Sequence, residues 1–142
     1  MSQPIKKAQR PAGFGDVIYR YTREQAIADG ALVDVSNTAR DVGIILPVAM
    51  TAAAWADAVA WHEADNERQT YQDESGRLWD VLFMAAYAIR TQRRPDDRLL
   101  YQLRRIPRDG RSTTARELTL KLILGPGDDG KPVITILMPN ED

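Results

Sequence analysis

The chain has 142 residues, 44% of them hydrophobic, which is the length and composition of one globular domain with a real core. It contains no cysteine, which excludes disulfides, thiolate nucleophiles and cysteine-based zinc or iron–sulfur sites. Nineteen basic and twenty acidic residues give a net charge of −1, so the overall charge predicts no class of partner.

The N-terminal segment differs from the rest of the chain. Residues 1–15 contain two Pro and two Gly without periodicity, and they are predicted to form a flexible arm, with a single domain over residues 16–142. A short β-type run over residues 17–21 opens that domain. The arm lacks the apolar segment of a signal peptide, and no apolar run reaches the length of a membrane span. We therefore expect a cytoplasmic protein without membrane contact.

Capping residues predict the elements that follow. Thr22 and Gln25 have the spacing of a capping box, and Gly30 stands where a helix should end, so a short helix is expected over residues 22–29. Three further segments are predicted before a polar loop over residues 66–76. The first is a short strand or an extended link over residues 32–35, the second is a helix between an N-cap at Ser36 and Gly43, and the third is a helix capped by Thr51 that extends to Ala64.

The strongest helix is predicted over residues 77–91. Its apolar residues recur at i, i+3, i+4 and i+7, and aromatic residues and Met84 fill most of the remaining positions. Only Asp80 and the terminal arginines interrupt this pattern. Because a helix that is apolar nearly all round is packed from several sides, we expect this helix at the centre of the core.

The C-terminal third is predicted to form strands over residues 99–106, 118–124 and 133–138, with apolar and polar residues in alternation. The glycine-rich loop over residues 125–132 is interpreted as a hairpin connection. A phosphate-binding loop would need Ser or Thr and a helix after Lys131, where Pro132 and a strand follow, and a calcium loop would need more oxygen ligands than two aspartates. The predicted fold class is α+β, with helices packed on one face of a small antiparallel sheet formed mainly by the C-terminal strands.

The single histidine, His62, is the first candidate for chemistry. It follows Trp55 and Val59 at i, i+4 and i+7, and we interpret it as the edge of an apolar helix face, since no nucleophile is identifiable near it. One histidine without any cysteine also argues against a zinc site. The sequence thus predicts no catalytic residue, no metal ligand and no cofactor.

Charge is distributed unevenly. Between residues 90 and 111, eight arginines face three aspartates, a local charge of +5, whereas seven acids face two arginines between residues 57 and 80, a local charge of −5. Trp61 lies off the main apolar stripe of its predicted helix, where it either marks an interface or packs on the arm or a neighbouring loop. The candidate binding residues are therefore Trp61, Arg93, Arg94, Arg104, Arg105 and Arg108.

Three parts of the chain carry a family resemblance: YTREQAIADG over residues 21–30 with LVDVS after it, the segment over residues 47–55, and the closing run over residues 118–138. In these runs the chain resembles an uncharacterised family of small bacterial proteins carried on plasmids, integrative elements and phages. The resemblance brings no catalytic residues. It implies an accessory function, such as countering host defence.

Three functions from different classes follow. The leading hypothesis is a non-enzymatic interaction protein, an accessory of a mobile element, that binds a protein or a protein–nucleic-acid complex through its charged surfaces. The first alternative is an enzyme acting on nucleotides or RNA through His62 and arginines. The second is a nucleic-acid binder using residues 93–111, which a pI of about 5.9 disfavours. The oligomeric state stays open.

Overall fold

A computed structural model of the protein describes residues 21–142, so the predicted arm over residues 1–15 and the β-type run up to residue 20 lie outside the described residues. The described part contains five helices and five strands. In chain order these are α1 (Arg23–Asp29), β1 (Leu32–Asp34), α2 (Ser36–Asp41), β2 (Val48–Thr51), α3 (Ala52–Ala58), α4 (Glu63–Arg68), α5 (Glu74–Thr91), β3 (Arg98–Arg105), β4 (Arg116–Pro126) and β5 (Pro132–Leu137).

The five strands form one sheet in the order β1-β2-β5-β4-β3. The three C-terminal strands make the predicted antiparallel meander, with Leu103 opposite Leu118 and Leu122 opposite Ile136. β2 extends it in parallel to β5, and β1 pairs antiparallel with β2. The α+β fold class is confirmed. The sheet is larger and more mixed than expected because β2, a four-residue strand, was not predicted.

The core lies between α5 and one face of the sheet. Along β3 and β4 alternate side chains are buried, and they meet Val81, Leu82 and Ala85 of α5. Tyr101 anchors the helix further, since its hydroxyl donates to the carbonyl oxygen of Val81 at 3.2 Å. α1, in contrast, packs on the opposite face of the sheet. Its Arg23 donates at 2.7 Å to the hydroxyl of Thr135, and the side chain of Thr135 points away from the core because it alternates with the buried isoleucines of β5.

The capping box that opens α1 is confirmed, since Thr22 and Gln25 exchange the expected bonds and Gly30 adopts φ +84° at the end of the helix. Ser36, in contrast, was wrongly predicted as an N-cap. Its hydroxyl accepts the N–H of Val48 at 3.0 Å and so ties the start of α2 to β2.

The predicted helix from Thr51 to Ala64 was too long. Thr51 does cap α3, but the helix ends at Ala58, and α4 begins at Glu63 inside the region predicted as a helix end and a polar loop. The physical reason is Asp65, whose carboxylate accepts the N–H of His62 at 2.8 Å and starts a new helix there. This break determines where every candidate residue of the region lies.

Candidate interaction surface

Trp61 is buried, with only 4% of its surface exposed. Its indole N–H donates to the amide oxygen of Asn66 at 2.8 Å, and the guanidinium carbon of Arg77 lies 4.7 Å from the ring centre. The interpretation of Trp61 as an exposed interface residue was therefore wrong, because the end of α3 at Ala58 turns it inward. Its packing on the loop and helix that follow agrees with the alternative interpretation.

Arg77 is the buried centre of this region, and sequence analysis missed it. Its side chain donates to the carbonyl oxygen of Val59 at 3.0 Å, to that of Ile106 at 2.9 Å and to the amide oxygen of Gln72 at 2.7 Å. Burial lowers the pKa of Arg77, and the nearby guanidinium of Arg105 acts in the same direction. Arg77 thus joins the segment after α3 to the end of β3.

Two arginines of the predicted basic stretch are bound internally. Arg105 donates through Nε and Nη2 to one carboxylate oxygen of Asp57, at 2.8 and 2.6 Å. Arg108 donates through Nε to the carboxylate of Asp65 at 2.7 Å. The acidic and basic segments of the sequence therefore interleave here, and these two guanidiniums support the fold.

Asp65 is the acid on which this network converges, and its side chain is almost fully buried. The hydrogen bond from the His62 N–H is the largest influence that lowers the pKa of Asp65 from 3.8 to about 2, and the guanidiniums of Arg108 and Arg68 lower it further against the opposing effect of desolvation. Because every partner favours the ionised carboxylate, Asp65 carries its charge throughout the neutral range.

His62 is exposed and stands at the N-cap of α4, so its predicted place on an apolar helix face was wrong. Its ring Nδ1 lies 2.9 Å from Nη2 of Arg108, which the carboxylate of Asp65 already holds. Over the described residues 21–142, no group of three or more His, Asp or Glu side chains has the arrangement of a metal site.

Three of the candidate arginines face solvent. Arg93 and Arg94 lie between α5 and β3, and Arg104 lies on β3, where it donates to the carbonyl oxygen of Ala115 at 3.2 Å. The structure thus divides the predicted basic stretch into an internally bound pair, Arg105 and Arg108, and these exposed positions. It does not bring Trp61 together with the exposed arginines on one surface.

α5 carries a stripe of exposed aromatic side chains. Trp79, Phe83 and Tyr87 follow at i, i+4 and i+8, so they form one line along the helix, and they are 43%, 48% and 51% exposed. The prediction that α5 is packed from several sides holds toward β3, α2 and α3, but this stripe is left exposed. The signal was present in the spacing, since a helix against one sheet buries one stripe and this second stripe has no place in that core.

A groove runs beside the stripe, between α5 and β3. It consists of two adjoining cavities of about 400 and 650 Å³ that share Met84 and Gln102. Phe83 lines one cavity, and Tyr87 lines the other together with Leu100, which is 62% exposed. β3 is an edge strand of the described sheet, so half of its backbone groups point away from its neighbour β4. We call the stripe and the groove together the aromatic face.

A family of unknown function, DUF6573, matches residues 12–142. The chain belongs to this family. No curated protein and no solved structure matches the chain.

None of the described helices of the DUF6573 domain meets the requirements of a membrane span. Even α5, with 18 residues, does not combine the length and apolarity that would take a helix across a bilayer, and the other described helices are shorter.

Proposed function

We propose that this DUF6573 domain is a non-enzymatic interaction protein that binds other protein surfaces through its aromatic face. The observation that carries the proposal is the exposed line of Trp79, Phe83 and Tyr87 beside the groove and the open edge of β3. Aromatic side chains are enriched at protein interfaces and supply most of their binding energy. Contiguous apolar surface of this kind also costs solubility unless a partner covers it.

Charge supports a protein partner over nucleic acid. The arginines predicted to contact phosphate include Arg105 and Arg108, which are already bound to Asp57 and Asp65. A domain with a pI of about 5.9 also lacks the basic footprint of nucleic-acid binders. The aromatic side chains of the stripe, in contrast, stay about half exposed in the described part of the chain.

We further propose a cytoplasmic accessory role in a bacterial mobile element, such as countering host defence. This part of the proposal depends on the family resemblance of the sequence and on no feature of the fold. It describes the biological context of the interaction, whereas the aromatic face is the surface that binds the partner.

Affinity capture tests the proposal. The tagged full-length protein is incubated with bacterial lysate, with and without nuclease, in parallel with a Phe83→Ser variant and an Ile45→Ser variant. Ile45→Ser is the control, because Ile45 is 83% exposed but belongs neither to α5 nor to the groove. We expect protein partners that survive nuclease, are lost with Phe83→Ser and are retained with the control. Partners that both variants retain, or that nuclease removes, would refute a function of the aromatic face.

A further inference from the structure

The partner of the aromatic face can be inferred from its symmetry. We propose that a second copy of this chain docks on it, with α5 packed antiparallel against α5 of the other copy about a two-fold axis near Phe83. This inference rests on the proposed function, because it names the partner of the same surface. Three features of α5 carry it: its aromatic spacing, its charge distribution and the groove beside it.

The aromatic spacing is symmetric about Phe83. In an antiparallel pair centred there, Phe83 meets its own copy, and Trp79 of each chain comes to the level of Tyr87 of the other. Each lies four residues from the centre, about 6 Å along the helix axis. A two-fold interface requires this self-complementarity, because residue i contacts j and residue j contacts i. A stripe of three aromatics with equal steps satisfies it without any change of backbone.

The charges of the helix are complementary in the same register. Exposed acids, Asp73 and Asp80, stand toward its N-terminal end, and exposed bases, Arg90 and Arg93, stand at its C-terminal end and just beyond it. With Phe83 at the centre, Arg90 of one copy reaches the level of Gly76 of the other, about one turn from each of the two aspartates. A parallel pair would place like charges together. Charge therefore selects the antiparallel register that the aromatic side chains also favour.

The groove gives the partner's side chains a place to enter. Its cavities lie along the side of α5 that carries Phe83 and Tyr87, and each is large enough for an aromatic side chain. Asp80 is exposed to solvent but lines the groove, where partial desolvation raises its pKa while the guanidinium of Arg77 opposes the shift. A cation from the second copy at this position would stabilise the charged carboxylate.

Sedimentation of the purified full-length protein tests the association. We expect a concentration-dependent dimer, a dissociation constant at least about 100-fold higher for Phe83→Ser, as for an interface hot spot, and an unchanged dimer for Ile45→Ser. Asp80→Arg and Arg90→Glu should each weaken the dimer, and the double variant should restore it, since the two charges then exchange places across the interface. Circular dichroism of each variant separates weakened association from misfolding.

Engineered cysteines test the register without background, because the chain contains no cysteine of its own. Phe83→Cys should form a disulfide-linked dimer by itself. Trp79→Cys and Tyr87→Cys should link efficiently only when the two variants are mixed. Tyr71→Cys, at a position that is 75% exposed and lies outside α5 and the groove, is the control that should not link.

The outcomes separate this inference from the proposed function. A protein that stays monomeric at millimolar concentration, or whose dimer is unaffected by Phe83→Ser, overturns the inference. If capture of other proteins from lysate still depends on Phe83, the proposed function survives that result. A monomeric Phe83→Cys variant whose introduced thiol is also protected from alkylation would overturn both, since another part of the same chain would then cover the face.

Discussion

Replacing Arg77 with methionine should destabilise the domain strongly, because methionine keeps the apolar stem of the side chain and removes every hydrogen bond that it donates. The carbonyl oxygens of Val59 and Ile106 lose their guanidinium donor, and Trp61 loses its cation–π contact. Each buried carbonyl left without a hydrogen-bond donor lowers the free energy of unfolding by about 1–3 kcal/mol, and loss of the cation–π contact lowers it by about 0.5–2 kcal/mol. The middle of these ranges sums to about 5 kcal/mol.

Part of that loss is offset, because methionine also removes the cost of burying a charge. We therefore expect Arg77→Met to lower the free energy of unfolding by about 3 kcal/mol, which corresponds to a fall in Tm of about 10 °C for a domain of this length. Urea unfolding followed by tryptophan fluorescence measures it. Arg104→Met, on the exposed side of β3, is the matched control and should stay within about 0.5 kcal/mol of the parent. A loss below about 1 kcal/mol for Arg77→Met would refute the role of Arg77 as the centre of this network.

Three further predictions test the local geometry. Asp65 has a folded-state pKa of about 2, against the usual 3.8, so its ionised carboxylate stabilises the fold above about pH 4 and this stabilisation is lost as the pH falls toward 2. Urea unfolding across this pH range should therefore show an acid-dependent loss of stability that the Asp65→Asn variant lacks. His62→Ala should change the free energy of unfolding by no more than about 0.5 kcal/mol, because the ring is exposed. A larger loss of stability, measured by thermal unfolding, would show that the His62 side chain is part of the core. Gly30→Ala should cost about 1 kcal/mol in the same measurement, because φ +84° strains any residue with a Cβ, and an unchanged Tm would contradict that conformation.

Local patterns in the sequence were sufficient where the stabilising contact is itself local. The capping box of Thr22 and Gln25 needs only neighbours three residues apart, and the alternation over residues 118–124 needs only one buried face. The capping box was confirmed, and the alternation was confirmed from Leu118 to Leu122, whereas Leu124 is exposed. The meander of β3, β4 and β5 followed from the same alternation and from short connections.

Prediction was insufficient where a distant partner decides the structure. β2 is only four residues long, and its neighbour β5 lies far later in the chain, so no local periodicity identifies it. The break after Ala58 has a similar origin. A run rich in alanine favours continuing the helix, but Asp65 caps a new one, and Arg108 from beyond β3 holds that aspartate in place.

The same long-range contacts explain why the site could not be predicted. A sequence does not distinguish an exposed arginine from one that forms an internal ion pair. Only the fold shows that Arg105 binds Asp57 and that Arg108 binds Asp65. Apolar residues on α5 also count equally, so its second stripe was assigned to the core.

Once the sheet is seen to cover only one side of α5, the two assignments change together. Arg105 and Arg108 of the basic stretch form internal ion pairs and are not available to a partner. The aromatic side chains of the stripe lie outside the core and are exposed. The surface left for a partner is then mainly apolar, with Asp80 in the groove and further charges at the two ends of α5. A surface of this kind gains its binding energy from burying aromatic side chains and uses its charges to select orientation. This division is the physical reason to expect a binding mode that responds more strongly to Phe83→Ser than to salt.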